Sequence, residues 1–160
     1  MKKSALALAA TLLLLAACDS SSTDKNGAGG VGANGAGTGS GILGTAADGS
    51  SITDRVFFAT DSSVVDSQGQ STLDRQVTWL KANGSVNVTI EGHADERGTR
   101  EYNIALGERR ATAAKTYLVG QGIPASRIST ISYGKERPAA TGNDESAWSQ
   151  NRRAVTVIAN

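Results

Sequence analysis

The run Ser85-Val86-Asn87-Val88-Thr89-Ile90-Glu91 alternates polar and apolar residues without a break. Side chains along a strand point to opposite faces in turn, so Val86, Val88 and Ile90 share one face while Asn87, Thr89 and Glu91 share the other. Such a strand belongs in a sheet that is packed on one side and open on the other. The segments around it carry a different period. Leu73, Val77 and Leu80 recur at helical spacing after a Ser67…Gln70 capping-box pattern and before the stop Asn83-Gly84. A second helix is predicted from Thr99 or Glu101 to Val119, closed by Gly120, Gly122 and Pro124. RVFFA (55–59), RISTISY (127–133) and RAVTVIA (153–159) read as further strands, and NDESAWSQ (143–150) as a short helix capped by Asn143 or Asp144. Strands alternating with helices over a half-polar sheet predict an α+β fold, a two-layer sandwich and not a doubly wound one.

The ends of the chain bound what this fold can be attached to. Residues 1–18 combine a basic start (Lys2, Lys3), an apolar run too short to span a bilayer, and small residues before Cys18, which is a signal-peptide pattern. Leu15-Ala16-Ala17-Cys18 resembles the lipobox of bacterial lipoproteins, in which the cysteine is acylated and becomes the first residue of the mature chain. Cys18 is the single cysteine, so no intramolecular disulfide can form. Residues 19–50 are mostly Gly, Ser, Ala, Thr and Asn, with too little apolar surface to offset the entropy of ordering. They are predicted to be a disordered tether reaching roughly 30 Å, which leaves residues 51–160 as the folded domain. Without Lys2 and Lys3 the 16 basic residues fall to 14, against 15 acidic ones. That balance argues against nucleic acid as the main partner.

Charge becomes informative within EGHADERGTREYNIALGERR (91–110). The apolar stripe of the second helix is expected to be Tyr102, Leu106, Ala113 and Tyr117, and the stripe positions between 106 and 113 are both arginine, Arg109 and Arg110. A helix packed on a sheet does not place a guanidinium there without an anion to meet it. Asp95 ends the preceding strand near the start of that helix, whose amide groups add positive partial charge. Gly92, Gly98 and Gly107 clear side chains from the same place. Two arrangements remain open from spacing alone: an ion pair that ties strand to helix, or a socket for a zwitterion, with ammonium on Asp95 and carboxylate on Arg110.

EGHADERGTREYNIALGERRA, with VFFATD before it and SYGKERPA and NRRAV after it, resembles the OmpA-like peptidoglycan-binding domain family over about residues 52–158. The lipobox and the Gly-rich tether fit the lipoprotein branch of that family. The resemblance implies a mixed four-stranded sheet with helices on one face, no catalysis, no cofactor, and non-covalent capture of the diaminopimelate side chain in cell-wall peptides. It implies Asp95 and Arg110 as the residues holding the ligand's amine and carboxylate, with Asn103 and Leu106 at the other fixed places of the motif. Phe58 and Asp61 would border the pocket from the loop after the first strand, where the family's usual aspartate is Ala59 here. Arg152 of the NRR motif is a further candidate contact, while Arg153, His93, Trp79 and Trp148 are expected to serve the fold. The implied partners are peptidoglycan, the outer membrane through lipid on Cys18, and Tol-system periplasmic proteins, in a role in envelope integrity and cell division. Asp19 is a departure, because in enteric bacteria an aspartate after the lipidated cysteine retains lipoproteins at the inner membrane.

Two rival functions bear on the same residues. A hydrolase built on His93, Asp95 and Glu96 would lack the three ligands that a catalytic zinc takes and the two facing carboxylates that a glycosidase needs. A head that docks other envelope proteins without touching the wall is the alternative function.

Overall fold

The structure, a computed structural model, describes residues 41–159. The leader, Cys18, Asp19 and the tether as far as residue 40 lie outside them. Ten elements follow in order: β1 (Ile42–Thr45), β2 (Ser51–Thr53), β3 (Arg55–Phe57), α1 (Ser67–Ala82), β4 (Val88–His93), α2 (Arg100–Gly120), a single 3₁₀ turn (Ala125–Arg127), β5 (Ile128–Gly134), α3 (Glu145–Asn151) and β6 (Arg153–Ile158). Four strands form one sheet in the order β3-β6-β4-β5. β4 runs parallel to β5 and antiparallel to β6, and β3 is antiparallel to β6, so the sheet is mixed. The core joins the inward residues Val56, Val88, Ile90, Ile128 and Ala154 to Leu73, Val77 and Leu80 of α1 and Ala111, Ala114 and Leu118 of α2. This is the α+β, two-layer arrangement that the half-polar strand predicted.

Local chemistry sets the helix ends. Asp66 caps α1 by accepting the Gly69 amide at 2.7 Å, one residue before the expected Ser67. A carboxylate meets the positive end of the helix better than a hydroxyl does. Gln70 bonds back to the Val65 carbonyl. Thr99 caps α2 through the Tyr102 amide and Asp144 caps α3 through the Ala147 amide.

Two expectations are corrected. The tether does not run unstructured to Ser50, because β1 and β2 pair as a hairpin from Ile42 to Thr53. Leu43 and Ile52 are buried, and the Gln76 side chain on α1 donates to the Thr53 carbonyl. Two apolar residues in a Gly-rich background suffice here because α1 supplies the surface they cover. The packed stripe of α2 is also rotated. Its buried residues are Asn103, Leu106, Gly107, Arg110, Ala111, Ala114 and Leu118, whereas Tyr102 is exposed. Side-chain size misleads on this helix, since the face that meets the sheet is the one with the small residues.

Gly92 and Gly107 explain why. A methyl group on Gly92 would lie 1.9 Å from the Gly107 carbonyl oxygen, and one on Gly107 would lie 2.3 Å from the Ser132 hydroxyl. Only hydrogen fits between strand and helix at this point. Gly92→Ala is expected to cost about 3 kcal/mol and lower Tm by roughly 10 °C, whereas Gly84→Ala, whose methyl would meet nothing within 4 Å, should leave it unchanged. Thermal unfolding of the two variants checks the claim, and equal melting would contradict it.

Candidate functional site

Arg110 reaches from α2 toward the end of β4 and the loop after β3, and none of it is exposed. Its three guanidinium nitrogens each hold a backbone carbonyl: Nε donates to Ser62 at 2.8 Å, Nη1 to His93 at 2.8 Å and Nη2 to Ala59 at 3.1 Å. The Phe58 ring centroid lies 5.3 Å from its Cζ. Burial pulls its pKa down to about 10, against the pull of Asp95 and other nearby groups, so the side chain remains a cation at neutral pH. The role of the Ala59 departure is thereby narrowed, because that residue contributes its carbonyl.

Asp95 stands just past β4 and is 7% exposed. It does not bond to Arg110. Oδ1 accepts from the Arg97 amide and from Arg97 Nε, both at 3.1 Å. Oδ2 accepts from Arg97 Nη2 at 2.6 Å and from Arg152 Nη1 at 3.5 Å. Burial, the largest single influence, would raise its pKa, but the bonds from Arg97 and Arg152 and the charge of Arg97 outweigh it and hold the carboxyl below its ordinary value. Asp95 is therefore an anion at neutral pH. Arg152 is pinned in turn by the Phe58 carbonyl and by Glu145.

The remaining predicted residues take separate places. Asn103 is buried and donates to the Arg97 carbonyl at 2.8 Å, which fixes the turn that carries Asp95. Leu106 is buried one turn further along α2. Asp61 has a left-handed backbone (φ 53°) in the loop after β3 and accepts from the Tyr102 hydroxyl. Arg153 bonds carbonyls of Asn151 and Arg137 and so serves the fold. Arg97 and Trp148 were not foreseen at the site. The Arg97 guanidinium lies 4.1 Å from the Trp148 ring, and the indole N–H donates to Glu96. The signal for Arg97 was present in the sequence, because an aspartate often bonds the backbone two residues on.

A family model described as the OmpA family matches residues 57–152. The chain is 52% identical over 147 residues to the peptidoglycan-associated lipoprotein of Rhizobium meliloti, covering 91% of this chain and 82% of the relative. The corresponding protein of Pseudomonas aeruginosa is 44% identical over 155 residues, covering 92% and 91%. The crystal structure of the peptidoglycan-associated lipoprotein from Burkholderia pseudomallei superposes with a TM-score of 0.65 at 41% identity, over 67% of this chain and 91% of that one. The chain belongs to the OmpA family, among its peptidoglycan-associated lipoproteins. That family is structural and non-catalytic.

Family membership does not make every motif residue a ligand contact. Both ring nitrogens of His93 are buried without a hydrogen-bond partner. Its ring instead lies against Tyr133, and Glu91 Oε2 is 3.7 Å from Nε2. Burial lowers its pKa, partly offset by Glu91. With the folded value below the unfolded one, near 6.5, stability is complete above that pH and is lost progressively as pH falls below it. Because His93 is the only histidine, urea unfolding between pH 7.5 and 5.5 should show a decline that His93→Gln abolishes. A decline of the same slope in both proteins would contradict this.

Arg110 has a comparable structural duty. Removing its side chain strands three carbonyls, so Arg110→Ala is expected to lose about 3 kcal/mol or more in a denaturant titration. Unchanged stability would show that those bonds contribute nothing.

Proposed function

We propose that this protein is a non-catalytic lipoprotein that links the outer membrane to the cell wall by gripping the diaminopimelate of peptidoglycan stem peptides. The observation that carries the reading is the separation of two buried charges. Asp95 and Arg110 are opposite in sign and near enough for Asp95 to be the strongest opposing charge on Arg110, yet each is held by third parties and not by the other. A zwitterion placed between them meets both of its charges. The ammonium group goes to Asp95. A guanidinium has five N–H groups, three of Arg110's hold carbonyls, and the remaining two receive the carboxylate once residues 59–62 yield. Phe58, Asn103, Leu106, Asp61 and Arg152 frame the pocket and keep its parts in place.

The rest of the reading extends the same role. Lipid on Cys18 supplies the anchor, residues 19–40 the reach, and the head faces the periplasm from the outer membrane despite Asp19. Among the described residues no helix is long and apolar enough to cross a membrane. Names of the relatives support association with peptidoglycan, and the Tol-system proteins are the protein partners in envelope integrity and division.

Calorimetry on the detergent-solubilised chain tests the pocket. A stem peptide ending in diaminopimelate should bind more tightly than its lysine counterpart by about 1.5–3 kcal/mol, the scale of a charge-assisted hydrogen bond. Lysine lacks the distal carboxylate, so equal affinity for the two would remove Arg110 from the ligand.

A further inference from the structure

The Asp95 carboxylate is already saturated. Its two oxygens accept from the Arg97 amide, Arg97 Nε, Arg97 Nη2 and Arg152 Nη1, which fills the roughly four lone-pair positions that a carboxylate offers. An incoming ammonium group finds no acceptor until one of these donors withdraws. Arg152 is not free to do so, being 5% exposed and fastened by Nε to the Phe58 carbonyl and by Nη2 to Glu145. Arg97 is different. Its side chain is 39% exposed, and beyond Asp95 its guanidinium has a long 3.4 Å hydrogen bond to the Thr60 hydroxyl and rests 4.1 Å from the Trp148 ring centroid. It also has somewhere to go. The Trp148 ring lies beneath it, and the charges of Glu145 and Glu96 both attract it.

We propose that Arg97 is an internal occupant of the cation position on Asp95, displaced by the ligand's ammonium in a one-for-one exchange of positive charge. This rests on the reading that Asp95 receives the ammonium group. The exchange keeps the buried carboxylate paired at every stage, because a lone buried anion is far costlier than a swap of partners. It also makes affinity a difference between two cations competing for one acceptor. A bidentate guanidinium is the stronger ion-pair partner for a carboxylate. A single amine therefore binds poorly unless the same ligand makes a second contact. Arg97 lowers affinity for every amine ligand equally, and the carboxylate contact at Arg110 decides which ligand overcomes it.

The test is calorimetry on the detergent-solubilised chain and its Arg97→Ala, Arg97→Gln and Asp95→Asn variants, with the diaminopimelate peptide and the lysine peptide as probes. Both Arg97 variants should bind both peptides more tightly, by about threefold to tenfold, with the preference between the peptides unchanged. The glutamine variant keeps a stem over Trp148, so agreement between the two excludes a loss of fold as the cause. Weaker or unaltered binding by the Arg97 variants, with Asp95→Asn still losing affinity, would overturn the exchange and leave the pocket standing. Undiminished binding by Asp95→Asn would overturn both.

Discussion

A fully buried guanidinium organises this domain. Arg110 gathers the carbonyls of Ala59, Ser62 and His93, and so joins the loop after β3, the end of β4 and the middle of α2 at one point. Desolvating that charge is expensive, and three carbonyl acceptors offset the cost without neutralising the charge. A carboxylate in their place would have made a closed ion pair with nothing left over. Carbonyls leave a net positive charge in a dry place, and the proposed carboxylate contact rests on that charge.

That arrangement depends on how closely α2 approaches the sheet. Gly92 and Gly107 touch backbone to backbone, and this contact brings Arg110 within reach of the His93 carbonyl three residues further along the helix. Asp95 then emerges just beyond the same strand, where Asn103 fixes its turn through the Arg97 carbonyl. The packing that holds the helix down also sets the spacing between the positive and negative groups. The proposed binding chemistry and fold stability share residues here, so binding assays on Arg110 variants need a stability measurement beside them.

Much of this was legible in the chain. The alternation at Val86, Val88 and Ile90 fixed which face of β4 is buried, the Asn83-Gly84 stop ended α1, and the structure chose Thr99 over Glu101 and Asp144 over Asn143 as caps. Arg110 stood out as a charge on an apolar face, although the face was misplaced by a residue because Tyr102 and Tyr117 outweighed Gly107, Ala111 and Ala114 in a count of apolar size. Reading Asp95 beside Arg110 left their bonding open, and the structure holds each of them with other partners. The partners that the structure gives Asp95, Arg97 and Arg152, depend on a turn and on a residue 57 positions away, and only the turn has a local sequence signature. β1 was missed because its burial comes from α1 and not from its own composition.

One measurement bears most directly on the claim that Asp95 and Arg110 grip the two charged ends of one ligand. Crystals of the protein soaked in diaminopimelate should show its ammonium within hydrogen-bonding distance of the Asp95 carboxylate and its carboxylate on the Arg110 guanidinium. An amino acid bound elsewhere, with Arg110 still sealed among its three carbonyls, would contradict the account.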